Sequence, residues 1–243
     1  IKPDLFKSEE EFPRFNDIAK QVGLNTRSLC GGAISDDFNG DGLLDIVASN
    51  WDPTGQLKYF INTGKGKFTD QTEKAGLIGL SGGLNINQTD YNNDGHPDIY
   101  VMRGGWLAEQ GRYPNSLIRN NGDGTFTDVT IEAGLAKENF PTQTSSWADY
   151  NNDGLLDLYV GNEIIEENPA PSQLFHNNGD GTFTDVAAQA GVVNKRYTKA
   201  VVWGDYDNDD NPDLYVSCHG EPNRLYRNNG DGTFTDVAPA LGV

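Results

Sequence analysis

Along the chain, apolar residues come in short runs that alternate with polar ones, and each run is closed by Asn-Gly, Asp-Gly or Pro-containing punctuation. Between residues 144 and 187 four runs follow one another, TSSWADY, LLDLYVGN, SQLFHN and TFTDVA. A period of two with β-branched and aromatic residues predicts strands, and the turn residues between them predict hairpins. We label the four strands of this unit A to D.

The unit recurs. An acidic phrase appears as DFNGDGLLD from Asp37, DYNNDGHPD from Asp90, DYNNDGLLD from Asp149 and DYDNDDNPD from Asp205, at steps of 53, 59 and 56 residues. A second phrase follows each, NTGKGKFTD from Asn62 and NNGDGTFTD from Asn120, Asn177 and Asn228. Repeats of this length built from four antiparallel strands are the signature of propeller blades, which bury their faces against neighbouring blades. The expectation is an all-β single domain, a β-propeller of four-stranded antiparallel blades with repeat units at about 28–77, 78–135, 136–192 and 193–243. A tail of the form FTDVxxxAG(L/V) closes each unit, and a degenerate fifth copy, FNDIAKQVGL, starts at Phe15, before the first acidic phrase. Residues 1–27 therefore read as a segment that caps or closes the array, or as the end of a preceding unit in a longer protein. The chain starts at Ile1 without an initiator Met, which reads as a processed or partial product.

The composition adds a charge of −18 over 243 residues. Such a surface is a poor partner for nucleic acid or anionic membranes, because phosphate contacts need clustered Lys and Arg. No apolar run approaches the ~20 residues that span a bilayer. A cation is the natural counter-ligand.

The acidic phrases supply a place for one. Oxygen donors stand at positions 1, 3, 5 and 9, with a Gly at position 6 and a backbone carbonyl available from position 7. Ca²⁺ takes six to eight such oxygens, whereas Mg²⁺ keeps its waters and demands a stricter octahedron. The four candidate sites are Asp37, Asn39, Asp41, Leu43 and Asp45; Asp90, Asn92, Asp94, His96 and Asp98; Asp149, Asn151, Asp153, Leu155 and Asp157; and Asp205, Asp207, Asp209, Asn211 and Asp213. The fourth has Asp210 in place of the position-6 Gly, which puts its turn geometry in question. An EF-hand would need Glu at position 12, where this chain has Ala48, Val101, Val160 and Val216. The loops accordingly read as A-to-B hairpin tips. The NNGDGTFTD phrase has too few spaced carboxylates for a metal and reads as a C-to-D turn with Phe anchoring the next strand.

With these motifs the chain resembles the FG-GAP/VCBS repeat family, known from the β-propellers of integrin α subunits. In motif style it is similar to the cartilage-acidic-protein type that often carries an ASPIC/UnbV domain. The resemblance covers about Phe15 to Val243. It implies calcium loops between strands A and B, an extracytoplasmic location and a binding or scaffolding role, and it does not imply a reaction. Family propellers commonly have seven or eight blades, so four repeats leave two alternatives, a closed four-bladed ring or part of a larger one. Cys30 and Cys218, both expected on the face opposite the acidic loops, would meet and form a disulfide latch only in the closed ring.

The spacing from the ninth-position Asp to the repeated Asn is 17, 22, 20 and 15 residues, so the units differ in their B-to-C loops. These hold Trp51 and Asp52; Arg103, Trp106, Arg112 and Tyr113; Glu163, Glu166 and Glu167; and His219, Glu221 and Arg224. Variable loops on a rigid scaffold are where a protein or carbohydrate partner would be recognised. Trp147 and Trp203, each two positions before a loop Asp, read as blade packing. With only three His, no nucleophile-base pair stands out. The leading expectation is a non-enzymatic calcium-stabilised interaction module, with a carbohydrate-binding or -processing propeller, or a subunit of a larger assembly, as alternatives.

Overall fold

The computed structural model describes residues 16–26, 30–163 and 170–243. Its strands form four sheets of four, each antiparallel and each following chain order from inside to outside. Blade one consists of β1 (Cys30–Asp36), β2 (Asp45–Asn50), β3 (Lys58–Asn62) and β4 (Phe68–Asp70). Blade two has β5 (Asn85–Thr89), β6 (Asp98–Met102), β7 (Ser116–Asn120) and β8 (Phe126–Asp128). Blade three has β9 (Thr142–Ala148), β10 (Asp157–Asn162), β11 (Gln173–Asn177) and β12 (Phe183–Asp185). Blade four has β13 (Thr198–Gly204), β14 (Asp213–Cys218), β15 (Arg224–Asn228) and β16 (Phe234–Asp236). The A-to-D reading of the sequence holds in every repeat. Short helices that it did not anticipate form in three tail elements, α1 (Ala19–Val22), α2 (Ala187–Ala190) and α3 (Ala238–Leu241).

The two faces of each B strand serve different neighbours. In β6, Ile99 and Val101 join the core shared with blade one, while Tyr100 and Met102 join the core shared with blade three. In β10, Leu158 and Val160 face blade two and Tyr159 faces blade four. Both strands are buried throughout, whereas β2 of blade one alternates buried and half-buried residues. A strand sandwiched on both faces can be apolar at every position, and one with a single neighbour cannot.

Among the described residues the core falls into three clusters, between blades one and two, two and three, and three and four. None joins blade four to blade one. The four blades therefore form an open array, and the closed four-bladed alternative is not realised. Cys218 is a free thiol, with Asn194 Nδ2 3.6 Å from its Sγ, so the disulfide latch is not made. Phe15, Glu166 and Glu167 lie outside the described residues.

Trp147 packs edge-on against Tyr100 and Phe183, with ring centroids 5.8 and 6.0 Å away. Trp203 packs edge-on against Tyr159 and at a tilt against Phe234. Each indole N–H reaches back to the preceding blade, Trp147 to Asn87 Oδ1 and Trp203 to the Ser146 carbonyl, both at 3.2 Å. Both tryptophans are packing residues, as their place before the loops implies.

Candidate metal loops

Each acidic phrase connects an A strand to a B strand, with Asp36 paired to Asp45, Thr89 to Asp98, Ala148 to Asp157 and Gly204 to Asp213. Within the loop the first-position carboxylate gathers the chain around itself. Asp90 accepts from the backbone N–H of Asp94 at 3.0 Å and of Gly95 at 2.9 Å, and Asp94 accepts from His96 N–H at 2.9 Å. Asp37 and Asp149 hold the same bonds in their loops. Side chains 1, 3 and 5 thereby converge on one small volume. In the fourth loop Asp205, Asp207 and Asp209 each place a carboxylate oxygen within 4.8 Å of the others.

Position 6 must adopt positive φ, which glycine does freely. Gly42, Gly95 and Gly154 have φ of 82°, 83° and 86°, and Asp210 takes 66° in the fourth loop. Asp210 N–H still donates to Asp205 at 3.0 Å. The loop keeps its turn despite the substitution, with the strain that a non-glycine residue carries there.

The ninth-position aspartates behave differently from the rest of the set. Asp45, Asp98 and Asp157 have no exposed surface and Asp213 has 1%. Their oxygens accept the backbone N–H of Asn62, Asn120, Asn177 and Asn228, the first residue of each C-to-D turn, at 2.7–2.8 Å. The second oxygen takes Tyr59 OH in blade one and the position-2 N–H of Tyr91, Tyr150 or Tyr206 in the others. Each such residue clamps its own loop to its own third strand. Burial pushes Asp98 up to about 7, with the charges of Asp94 and Asp90 adding to the effect against the Asn120 and Tyr91 hydrogen bonds. Asp45, Asp157 and Asp213 are raised chiefly by burial as well. His176 stands 3.1 Å from Asp157, and among the described ion pairs no Lys or Arg neutralises a loop carboxylate. Crowded carboxylates, all-oxygen donors and a buried acid without a Lys or Arg partner together fit a hard divalent cation.

Two residue types tie the loops into the array, and neither was singled out from the sequence. The repeated Asn reaches the preceding blade: Asn120 Nδ2 donates to the Phe38 carbonyl at 2.8 Å, Asn177 to Tyr91 at 2.8 Å and Asn228 to Tyr150 at 2.7 Å. The position-4 Asn, in left-handed geometry, reaches the following one: Asn93 Nδ2 donates to the Gly154 carbonyl at 2.9 Å and Asn152 lies 3.4 Å from that of Asp210. Their fixed recurrence was the available signal. The C-to-D phrase is the hairpin turn the sequence predicts, with Asn120 pairing Phe126 across it.

On the opposite face the variable-loop residues separate into structural and exposed groups. Arg103 is 5% exposed and donates to the carbonyls of Ser81, Gly82 and Pro114 and to Ser116 Oγ, so it anchors loops instead of presenting a surface. Glu163 is buried too, accepting Trp106 N–H at 2.7 Å with Lys199 Nζ 3.8 Å away. Trp51 Nε1 donates to the Gly105 carbonyl, Asp52 caps Thr54, and Arg112 pairs with Glu109. Glu221 pairs with Arg196, Arg224 with Asp236, and His219 packs on Tyr197. Trp106 remains 63% exposed at a φ of 69°, and Tyr113 39% exposed.

Four-stranded blades whose A-to-B tips are acidic oxygen-donor loops define a propeller-type repeat protein. Residues 37–101, 105–160 and 162–216 match the FG-GAP-like repeat, and the chain belongs to that family. It is 27% identical to human cartilage acidic protein 1 and 28% identical to that of Xenopus tropicalis, over 97% and 98% of its own length. The chain spans 39–40% of the length of these relatives. Among solved structures it is similar to BBS1N in complex with ARL6DN, soaked with lead, at 14% identity over 86% of this chain and 56% of that one, TM-score 0.48. It is also similar to the V. cholerae biofilm matrix protein Bap1, at 16% identity over 88% and 40%, TM-score 0.38. No helix among the described residues is long and apolar enough to cross a membrane.

Proposed function

We propose that the protein is a non-enzymatic, calcium-stabilised interaction module that works outside the cytoplasm. The observation that carries this reading is the placement of the acidic loops at blade joints. Each collects carboxylates around a buried ninth-position Asp that no Lys or Arg pairs among the described ion pairs, and the repeated Asn of the next blade is bonded to the same loop in three of the four cases. Ca²⁺ held by Asp90, Asn92, Asp94, Asp98 and the His96 carbonyl, and by their counterparts, would offset the repulsion among these groups. It would thereby stiffen the joints between blades. Partner recognition falls to the opposite face, where Trp106 and Tyr113 offer aromatic surface.

The test is thermal unfolding of the chelated and the calcium-loaded protein, with direct titration of Ca²⁺ by calorimetry. Binding at the loops adds stability through linkage, so the loaded protein melts higher. Identical melts with no heat of binding refute the reading. A pull-down and a glycan array, each run on wild type and Trp106→Ala, distinguish protein from carbohydrate partners.

A further inference from the structure

On the face opposite the acidic loops, one side chain is surrounded by groups from three blades. Lys199 of β13 carries its ammonium over the ring of Tyr197, 4.1 Å from the centroid, and 5.6 Å from the centroid of Trp106, which comes from the loop after β6. Gln143 Oε1 of β9 accepts from the same Nζ at 3.0 Å, and Oε1 of Glu163, just after β10, stands 3.8 Å from it. Two aromatic faces, a carboxylate and an amide oxygen around one nitrogen make a cage for an ammonium ion, since each of them attracts positive charge.

Lys199 fills this cage incompletely. Glu163 is 2% exposed, yet its Oε1 has no hydrogen-bond partner, because the lysine stops short of it. Gln143 is 5% exposed and, with its oxygen given to Lys199, leaves Nε2 buried and unpartnered. Buried polar atoms left in this state are unfavourable, and an ammonium seated closer to Glu163 would satisfy the carboxylate. The Trp106 wall of the cage is strained as well, at a φ of 69°.

These residues stand outside the repeat. Six positions before the acidic loops the chain has Gly31, Leu84, Gln143 and Lys199, and six positions after the ninth-position Asp it has Trp51, Gly104, Glu163 and His219. A tie that every blade needs recurs in every blade, as the repeated Asn does. The cage is written into the sequence once.

We propose that Trp106, Tyr197, Glu163 and Gln143 form a binding site for an alkylammonium group, with Lys199 as an internal occupant that the ligand displaces. The Lys199 side chain is 32% exposed on a flexible stem, so it can leave for solvent. The net charge of −18 draws cations towards the protein. The inference rests on the reading of this face as the recognition face and gives the recognised group its chemistry. That group is carried both by a lysine of a protein partner and by a free amine.

Removing the occupant tests the cage. A site that Lys199 fills about nine-tenths of the time shows about one-tenth of its intrinsic affinity, so Lys199→Met should bind n-butylammonium about tenfold more tightly than wild type. Calorimetry and the shift of the Trp106 indole N–H resonance read the binding, and circular dichroism checks the fold. Lys199→Ala is a second vacated variant, and the indole shift at high n-butylammonium gives a reading on the wild type itself. Uncharged n-butanol should bind neither variant. Adding Tyr197→Leu or Glu163→Gln to Lys199→Met should abolish the gain. Tighter binding of acetyl-Gly-Lys-Gly-amide than of n-butylammonium assigns the site to a partner's lysine, and equal affinity assigns it to a free amine. The proposal is overturned if both vacated variants are folded and bind n-butylammonium no more tightly than wild type, if n-butanol binds equally well, or if the gain survives Glu163→Gln. A partner that wild type captures and Trp106→Ala loses, with no ammonium binding by either vacated variant, would overturn the cage and leave the interaction-module reading standing.

Discussion

Asn120 of blade two donates its side-chain amide to the backbone carbonyl of Phe38 in the acidic loop of blade one, at 2.8 Å and with both residues at most 1% exposed. Its own backbone N–H is held by Asp98 at 2.7 Å. A loop in one blade is thus coupled through one residue to the loop of the blade before it. Asn120→Ala leaves the Phe38 carbonyl buried without this donor, which costs about 1–3 kcal/mol. Asn62→Ala removes a half-exposed bond within its own blade and is expected to cost under about 1 kcal/mol. Urea unfolding of both variants checks the difference, and equal losses would remove Asn120 from the joint.

The calcium reading predicts how a single loop contributes. At free Ca²⁺ about 100-fold above its dissociation constant, one occupied site adds roughly 2.7 kcal/mol. Asp153 also accepts Leu155 N–H at 2.9 Å, so Asp153→Ala weakens the calcium-free protein as well. The informative quantity is therefore the stability gained on adding Ca²⁺. That gain should shrink by about one site in Asp153→Ala and stay whole in a variant such as Ile131→Ala, whose side chain is 81% exposed and outside the loops.

The fourth loop carries a strained residue where its relatives have glycine. Asp210 holds a φ of 66°, so Asp210→Gly relieves left-handed strain and one like-charge contact at little conformational cost. We expect a gain of about 0.5–1 kcal/mol in the absence of calcium. The reverse change, Gly154→Ala at a φ of 86°, is expected to destabilise by about 1–2 kcal/mol. Denaturation midpoints in chelator measure both.

These joints mark the limit of what was legible from the sequence. Strand order, the A-to-B loops, the C-to-D turns and the packing role of Trp147 and Trp203 all follow from local periodicity and turn chemistry, and they hold. The repeated Asn120, Asn177 and Asn228 were visible as a recurrence, but their purpose depends on a carbonyl roughly 80 residues earlier in the chain, which no local pattern encodes. The choice between a closed ring and part of a larger one stayed open in the sequence for the same reason. Four repeats specify four blades, while the rotation between blades decides whether the last meets the first. Arg103 was misread because Arg in a variable loop resembles a surface anchor, whereas four acceptors around it make it a buried tie.

Arg103 and Trp106 lie three residues apart, and their substitutions should have opposite effects. Arg103→Leu strips donors from the carbonyls of Ser81, Gly82 and Pro114 and is expected to cost about 3 kcal/mol or more. Trp106 sits at a φ of 69°, where a bulky aromatic is a genuine outlier, and most of its surface is in solvent. Trp106→Gly keeps the backbone N–H that Glu163 accepts and relieves the strain, so stability should rise by about 1 kcal/mol. Strain of this kind persists where it serves a purpose, and the same variant should lose partner binding on that face. Melting curves and pull-downs on both variants test the pair of expectations. A Trp106→Gly protein that is less stable than wild type and binds every captured partner unchanged would show that the exposed indole neither carries strain nor recognises anything.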